Sequence, residues 1–182
     1  MTQRDIVLMS LFAALIAVLG LVPQIALATG VPITAQSLGI MLAGAVLGAK
    51  RGALSVLLFL ALVALGLPLL AGGRGGIGVF AGPTVGFLVG FPIAAFVTGW
   101  IVEKYQTQYV AMDTTIAAVI GGMIVMYIPG VLGFAAVLDK SILDSMKILF
   151  VYLPGDLVKA IATGLITAAL YKARPSSVLS RA

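Results

Sequence analysis

Tyr152-Leu153-Pro154-Gly155-Asp156-Leu157-Val158-Lys159-Ala160-Ile161-Ala162-Thr163 opens the last apolar run of the chain, and it contains the charged residues Asp156 and Lys159. Pro154 suits a first helical position, so Asp156 falls in the first turn and Lys159 one turn deeper on the same face. A charge carried into the bilayer centre costs about 2.5–3.5 kcal/mol on insertion scales, less near a helix end. The two charges therefore face protein, water or a ligand. Two readings stay open: a mutual ion pair with Lys159 snorkelling outward, or a binding site. The second is favoured because charges at membrane depth mark ligand and ion sites.

The rest of the chain has the composition of a membrane protein. Hydrophobic residues make up 62% and charged residues 9% of 182 positions, and the mean hydropathy is +1.21. Arg4-Asp5 leads directly into an apolar run with no cleavage site and polar mature domain behind it, so that run reads as a first span rather than a removed signal. The chain has no Cys and no His, which excludes thiol nucleophiles, imidazole bases, disulfides and the usual zinc ligands. The net charge of +5 comes from basic residues scattered singly between apolar runs, without the patch that nucleic acid would need.

Uncharged apolar runs predict six transmembrane helices in one all-α domain over 1–182: Ile6–Val22, Gln36–Ala49, Gly52–Leu67, Pro83–Val102, Thr114–Leu138 and Pro154–Tyr171. The second and third are short against the roughly 20 residues needed to cross a ~30 Å hydrocarbon core. Arg4, Lys50, Arg51, Lys104, Lys172, Arg174 and Arg181 gather on one side, against Arg74, Lys140 and Lys147 on the other. Both termini are therefore expected in the cytoplasm, with Asp156 and Lys159 near the outer surface.

The connections carry further expectations. The uncharged 23–35 loop could fold over the outer face as a lid. Ala71-Gly-Gly-Arg74-Gly-Gly-Ile-Gly78-Val-Phe80-Ala-Gly-Pro83-Thr84 is too glycine-rich to remain helical, and irregular backbone near membrane depth belongs against a cavity rather than lipid. Asp139–Leu153 places Ile142, Leu143, Met146, Leu149 and Phe150 at helical spacing, as in an interfacial helix. Pro129-Gly130 predicts a kink or break in the fifth run.

The string Gly73-x-Gly75-x-x-Gly78 matches a dinucleotide fingerprint but lacks the preceding strand and the βαβ unit. There is no P-loop, no second intramembrane carboxylate and no nucleophile–base pair, so the chain reads as neither an enzyme nor an ATPase and needs no metal or cofactor. Small residues at Ala13/Ala17, Gly44/Gly48 and Gly82/Gly86/Gly90 form ridges for close helix packing; the glycine sets are expected within the chain, and the terminal Ala13/Ala17 ridge against another subunit. If Arg74 and Lys159 converge on Asp156, the site is net positive with one strong acceptor. That suits a small monoanion with a carboxylate and an N–H, resting on Val79, Phe80 and Phe87.

Val31-Pro-Ile-Thr34-Ala-Gln36-Ser-Leu, Gly72-Gly-Arg-Gly-Gly-Ile-Gly78, Gly82-Pro-Thr-Val-Gly86-Phe-Leu-Val-Gly-Phe91-Pro and Leu153-Pro-Gly-Asp156-Leu-Val-Lys159 together resemble the BioY family, the biotin-specific S components of energy-coupling factor (ECF) transporters. The resemblance runs in order over nearly the whole chain, with Val85 a departure from a more usual Gly. It implies a six-helix, multi-pass subunit of a prokaryotic cell membrane that binds biotin near its outer face. It also implies docking on a shared transmembrane subunit that works with two ATPases, with Ala13 and Ala17 matching the docking motif. At the ligand it implies Asp156, Lys159, Arg74 and the loop around Gly73 and Gly75, with Gln36, Thr34 and Phe80 as further candidates. The alternative is a self-sufficient secondary transporter for an organic anion, against which stand the small size, the lone acid and the lack of an inverted repeat.

Overall fold

A computed structural model describes residues 1–25, 27 and 31–181. Among them there is no strand; isolated bridges join Ile25 to Ile33 and Leu70 to Arg74. The helices are α1 (Gln3–Leu19), α2 (Gln36–Leu47), α3 (Ala49–Ala64), α4 (Val85–Lys104), α5 (Val110–Val119), α6 (Met126–Leu138), α7 (Ile142–Leu149) and α8 (Leu153–Ala173). Among the described residues, three stretches are long and apolar enough to cross a membrane: Val85–Lys104, Val110–Leu138 and Leu153–Ala173.

The short α2 and α3 are joined by a single residue, Gly48, at φ 87° and ψ 178°. A side chain there would collide with the Glu103 carboxylate, which instead accepts from the Ala49 N–H at 3.0 Å and so caps α3 from α4. Lys50 and Arg51, expected in a loop, therefore lie in the first turn of α3. Arg51 there pairs with Asp5 at 2.8 Å. α2 has few positions facing outward, because α1, α3, α4 and α8 all pack on it.

The expected break at Pro129 is absent, since α6 continues through it. The irregularity lies one turn earlier, as a π-helical turn over Ile120–Val125. Pro129 has no N–H to offer the Val125 carbonyl, and the widened turn accommodates that missing bond within a continuous helix. The glycine ridge of α4 meets this region. A Cβ on Gly86 would lie 2.0 Å from the Pro129 carbonyl oxygen, so glycine is what lets α4 and α6 approach this closely.

After α8 the chain folds back in two 3-10 turns, Pro175–Ser177 and Leu179–Arg181. Val178 is buried, the Ser180 hydroxyl donates to the Ala45 carbonyl, and Arg181 pairs with Asp113 at 3.1 Å. Arg4 donates to the Ser176 carbonyl, so both ends of the chain meet at one end of the bundle. The start of α8 lies at the other end.

The lid expected over 23–35 falls partly on Ala26, Ala28, Thr29 and Gly30, which lie outside the described residues. Its described flanks are tied by two backbone hydrogen bonds between Ile25 and Ile33, each 3.0 Å. α7, in the 139–153 segment expected to form an interfacial helix, is shorter than that segment. Ser141 caps it by accepting from the Asp144 N–H, and Ile142, Leu143, Met146 and Phe150 are exposed while Leu149 is buried.

Candidate functional site

Asp156 is 5% exposed and its carboxylate is held from three helices. Lys159 donates to Oδ1 at 2.8 Å, the Ser37 hydroxyl of α2 donates to the same oxygen at 3.3 Å, and Tyr127 of α6 donates to Oδ2 at 2.6 Å. Lys159 Nζ also donates to the Ser37 oxygen at 3.0 Å. An ammonium has three N–H donors, and only these two Lys159 bonds exist among the described residues. The sequence thus placed the charges on one helical face, and the fold supplies hydroxyl partners from two neighbouring helices.

Beside this network lies a cavity of about 60 Å³. Asp156, Lys159, Ser37 and Arg74 are among its polar lining residues, with Val31, Phe87, Phe91 and Met126 among its apolar walls. Space of this size holds a few waters. A larger guest therefore requires wall side chains or the Val31–Thr34 segment to shift outward. That segment is latched by the Tyr152 hydroxyl, which donates to the Val31 carbonyl at 2.6 Å. The rings of Tyr127, Phe134 and Tyr152 surround Phe87 at centroid distances of 6.5, 5.6 and 6.2 Å, which fixes the wall facing the carboxylate.

Arg74 reaches the cavity from the glycine loop. Its backbone pairs with Leu70 and its Nε donates to the Ala71 carbonyl at 3.2 Å. Among the described residues it has no carboxylate partner. Partial burial pulls its pKa below the ordinary arginine value, a desolvation penalty that an incoming anion would relieve. The pocket therefore has a neutralised ion pair on one side and an uncompensated cation on the other.

The remaining expected residues divide. Thr34 and Gln36 line the cavity, but the Gln36 side chain is fully engaged. Its amide nitrogen donates to the Ile16 and Leu69 carbonyls at 3.1 and 3.0 Å, and its oxygen accepts from Ala71 N–H at 2.9 Å. Gln36 thus ties α1 and the glycine loop to α2. Gly73, Gly75 and Phe80 lie outside the cavity lining, as does Val79. Gly75 backs onto the Leu67 carbonyl, and Val79 and Phe80 pack against the core. The sequence reading missed Ser37, Tyr127 and Tyr152; hydroxyl-bearing residues within or beside apolar runs were the available signal, since a buried Tyr needs a partner for its O–H.

Of the Ala13/Ala17 ridge, Ala13 is 3% exposed and packs in the core, while Ala17 is half-buried against it. α1 turns this ridge toward α2 and α3 and leaves Val7, Leu11, Ala14 and Val18 outward. Ala13→Trp should therefore overpack the interior by about 1–3 kcal/mol, read as a lowered unfolding temperature. An unchanged temperature would mean that α1 can rotate or separate from the bundle.

A family model described as the BioY family matches residues 1–176. The chain belongs to the BioY family. It is 53% identical to the biotin transporter BioY of Rhodobacter capsulatus, over 98% of this chain and 99% of that one. It is 47% identical to the biotin transporter BioY of Rhizobium etli, over 96% and 97% of the two. Its fold is similar to the crystal structure of the S-component for biotin from an ECF-type ABC transporter, with a TM-score of 0.89 and 33% identity over 94% of this BioY-family chain and 95% of the other.

Proposed function

We propose that the chain is the high-affinity biotin-binding subunit, the S component, of an ECF-type vitamin uptake transporter. The observation that carries this reading is the asymmetric cavity. The Asp156–Lys159–Ser37–Tyr127 network offers an acceptor and a remaining donor to a ureido ring, and Arg74 offers an unpaired cation to a carboxylate. Phe87, Phe91 and Met126 provide the apolar surface between them. Titration of the purified protein with biotin tests it: saturable binding to a single site is expected, and the absence of saturable heat or fluorescence change would overturn it.

In this reading one domain, 1–182, crosses a prokaryotic cell membrane six times, through α1, α2, α3, α4, the α5–α6 helix and α8. α1, α2 and α3 extend only about 25, 18 and 24 Å at 1.5 Å per residue. The near-complete burial of α2 is what makes its shortness tolerable, since its ends meet protein rather than lipid. Charge asymmetry places both termini in the cytoplasm and α7 on the outer surface. Because the chain lacks native Cys, single cysteines report this directly. Ser141→Cys should react with an impermeant thiol reagent added outside intact cells and Ser176→Cys should not; the opposite labelling pattern would invert the topology.

The subunit performs no catalysis itself and docks on a transmembrane partner coupled to two ATPases. With Ala13 turned inward, the docking face proposed is the outward side of α1, around Leu11, Ala14 and Val18, with Ala17 at its edge. Ala14→Trp should spare folding and biotin binding while reducing co-purification of the partner subunit. Undiminished co-purification would move the docking face to another helix.

A further inference from the structure

We propose that the cleft between α6 and α7 holds one acyl chain of a phospholipid, and that filling it braces Tyr127 against Asp156. The cleft measures about 450 Å³ and is separate from the cavity described above. Ile124 of the π-helical turn and Ile128 and Leu132 of α6, four residues apart, form one exposed wall, and Met146 of α7 and Phe150 just after it form the other. The floor is the buried Tyr127 and Val131. No charged side chain lines it, so its chemistry fits an alkyl chain.

Within a bilayer, lipid contact lacks the drive of the hydrophobic effect, and an unfilled cleft simply loses dispersion contacts on its open side. A chain laid along the four-residue ridge restores them. The headgroup end is also specified. On the polar side of α7 the Asp144 carboxylate is already held by Ser141 at 2.7 Å and Lys147 at 2.9 Å. Lys140, exposed and two residues before the cleft residue Ile142, acts on Asp144 through space without an ion pair to it, and its ammonium can meet a lipid phosphate at the outer interface.

Tyr127 connects this cleft to the ligand cavity. Its ring forms part of the cleft floor, its hydroxyl donates to Asp156 Oδ2 at 2.6 Å, and its ring stands edge-on to Phe87 in the cavity wall. With the cleft empty, the ring lacks packing on one side and the hydroxyl can leave the carboxylate. With the cleft filled, Asp156 keeps its third donor and stays oriented for ligand. The coupling rests on the biotin reading of the cavity, whereas the lipid site itself does not.

Native mass spectrometry of protein carried through repeated detergent exchange, with biotin titration of the same samples, tests the proposal. Wild type should retain one phospholipid. Its biotin affinity should fall by about tenfold when that lipid is stripped and recover when phospholipid is added back, within the usual range of coupling between sites. Ile128→Trp, at an exposed position, should fill the cleft with its own ring, so that it retains no lipid and binds biotin as tightly stripped as unstripped. Lys140→Gln should lose the lipid more readily than wild type. Equal lipid retention by wild type and Ile128→Trp would overturn the site, as would a dimer in place of the lipid, which would give the cleft to a second copy. Equal lipid dependence of biotin binding in the two proteins would overturn the coupling. Absence of biotin binding by every sample would refute the biotin reading, while the retention measurements would still decide the lipid site.

Discussion

Neutralising Asp156 and Lys159 together should yield a protein that folds but binds biotin some ten- to a hundredfold more weakly, the loss associated with a charge-assisted hydrogen bond. The single changes should behave worse in a different way. Lys159→Ala leaves a carboxylate that is 5% exposed with only the hydroxyl donors of Ser37 and Tyr127. Asp156→Asn leaves the ammonium facing Ser37 without an anion. Breaking a buried pair costs about 3–5 kcal/mol, enough to lower yield and unfolding temperature. Asp156→Asn combined with Lys159→Met removes both charges and recovers stability. Thermal unfolding and calorimetric titration of all three variants separate the two effects. A double variant with wild-type affinity would make the pair purely structural and refute its role at the ligand.

Arg74→Ala should reduce biotin affinity by about 1.5–3 kcal/mol, the range for hydrogen bonds to charged groups, with little change in stability. The expectation follows from its position: half-buried at the cavity, held only through Nε and the backbone, and without an acidic partner among the described residues. The more specific result concerns selectivity. Wild type should prefer biotin over its uncharged amide, and Arg74→Ala should bind the two nearly equally. A variant that keeps the preference for the acid would transfer the carboxylate to Lys159.

The long apolar runs were legible because membrane depth imposes a length and a composition that few other structures need. α4 and α8 fall within two residues of the runs that predicted them. The α2–α3 junction was less legible, because Lys50-Arg51 read as a loop when Gly48 alone makes the turn and Glu103 supplies the cap. Asp156, Lys159 and Arg74 stood out as charges in apolar or glycine-rich surroundings, and the fold brings them to one cavity. Gly73, Gly75 and Phe80, expected beside Arg74, sit outside the cavity lining. Positive φ at Gly72, Gly73 and Gly76 turns the loop so that Arg74, not its neighbours, lines the space. Ser37 and Tyr127 drew no attention because a hydroxyl in an apolar helix carries no sign of which helix it will cross. Ala13 misled for a related reason: spacing defines a ridge but not the direction in which it faces.

The small molecule released when the protein is purified from cells supplied with biotin and then denatured gives the most direct test of the central claim. Mass spectrometry of that fraction should find biotin, one per chain, and the Arg74→Ala protein should carry far less. A different anion in its place, or an empty protein that also fails to bind added biotin, would contradict the assignment.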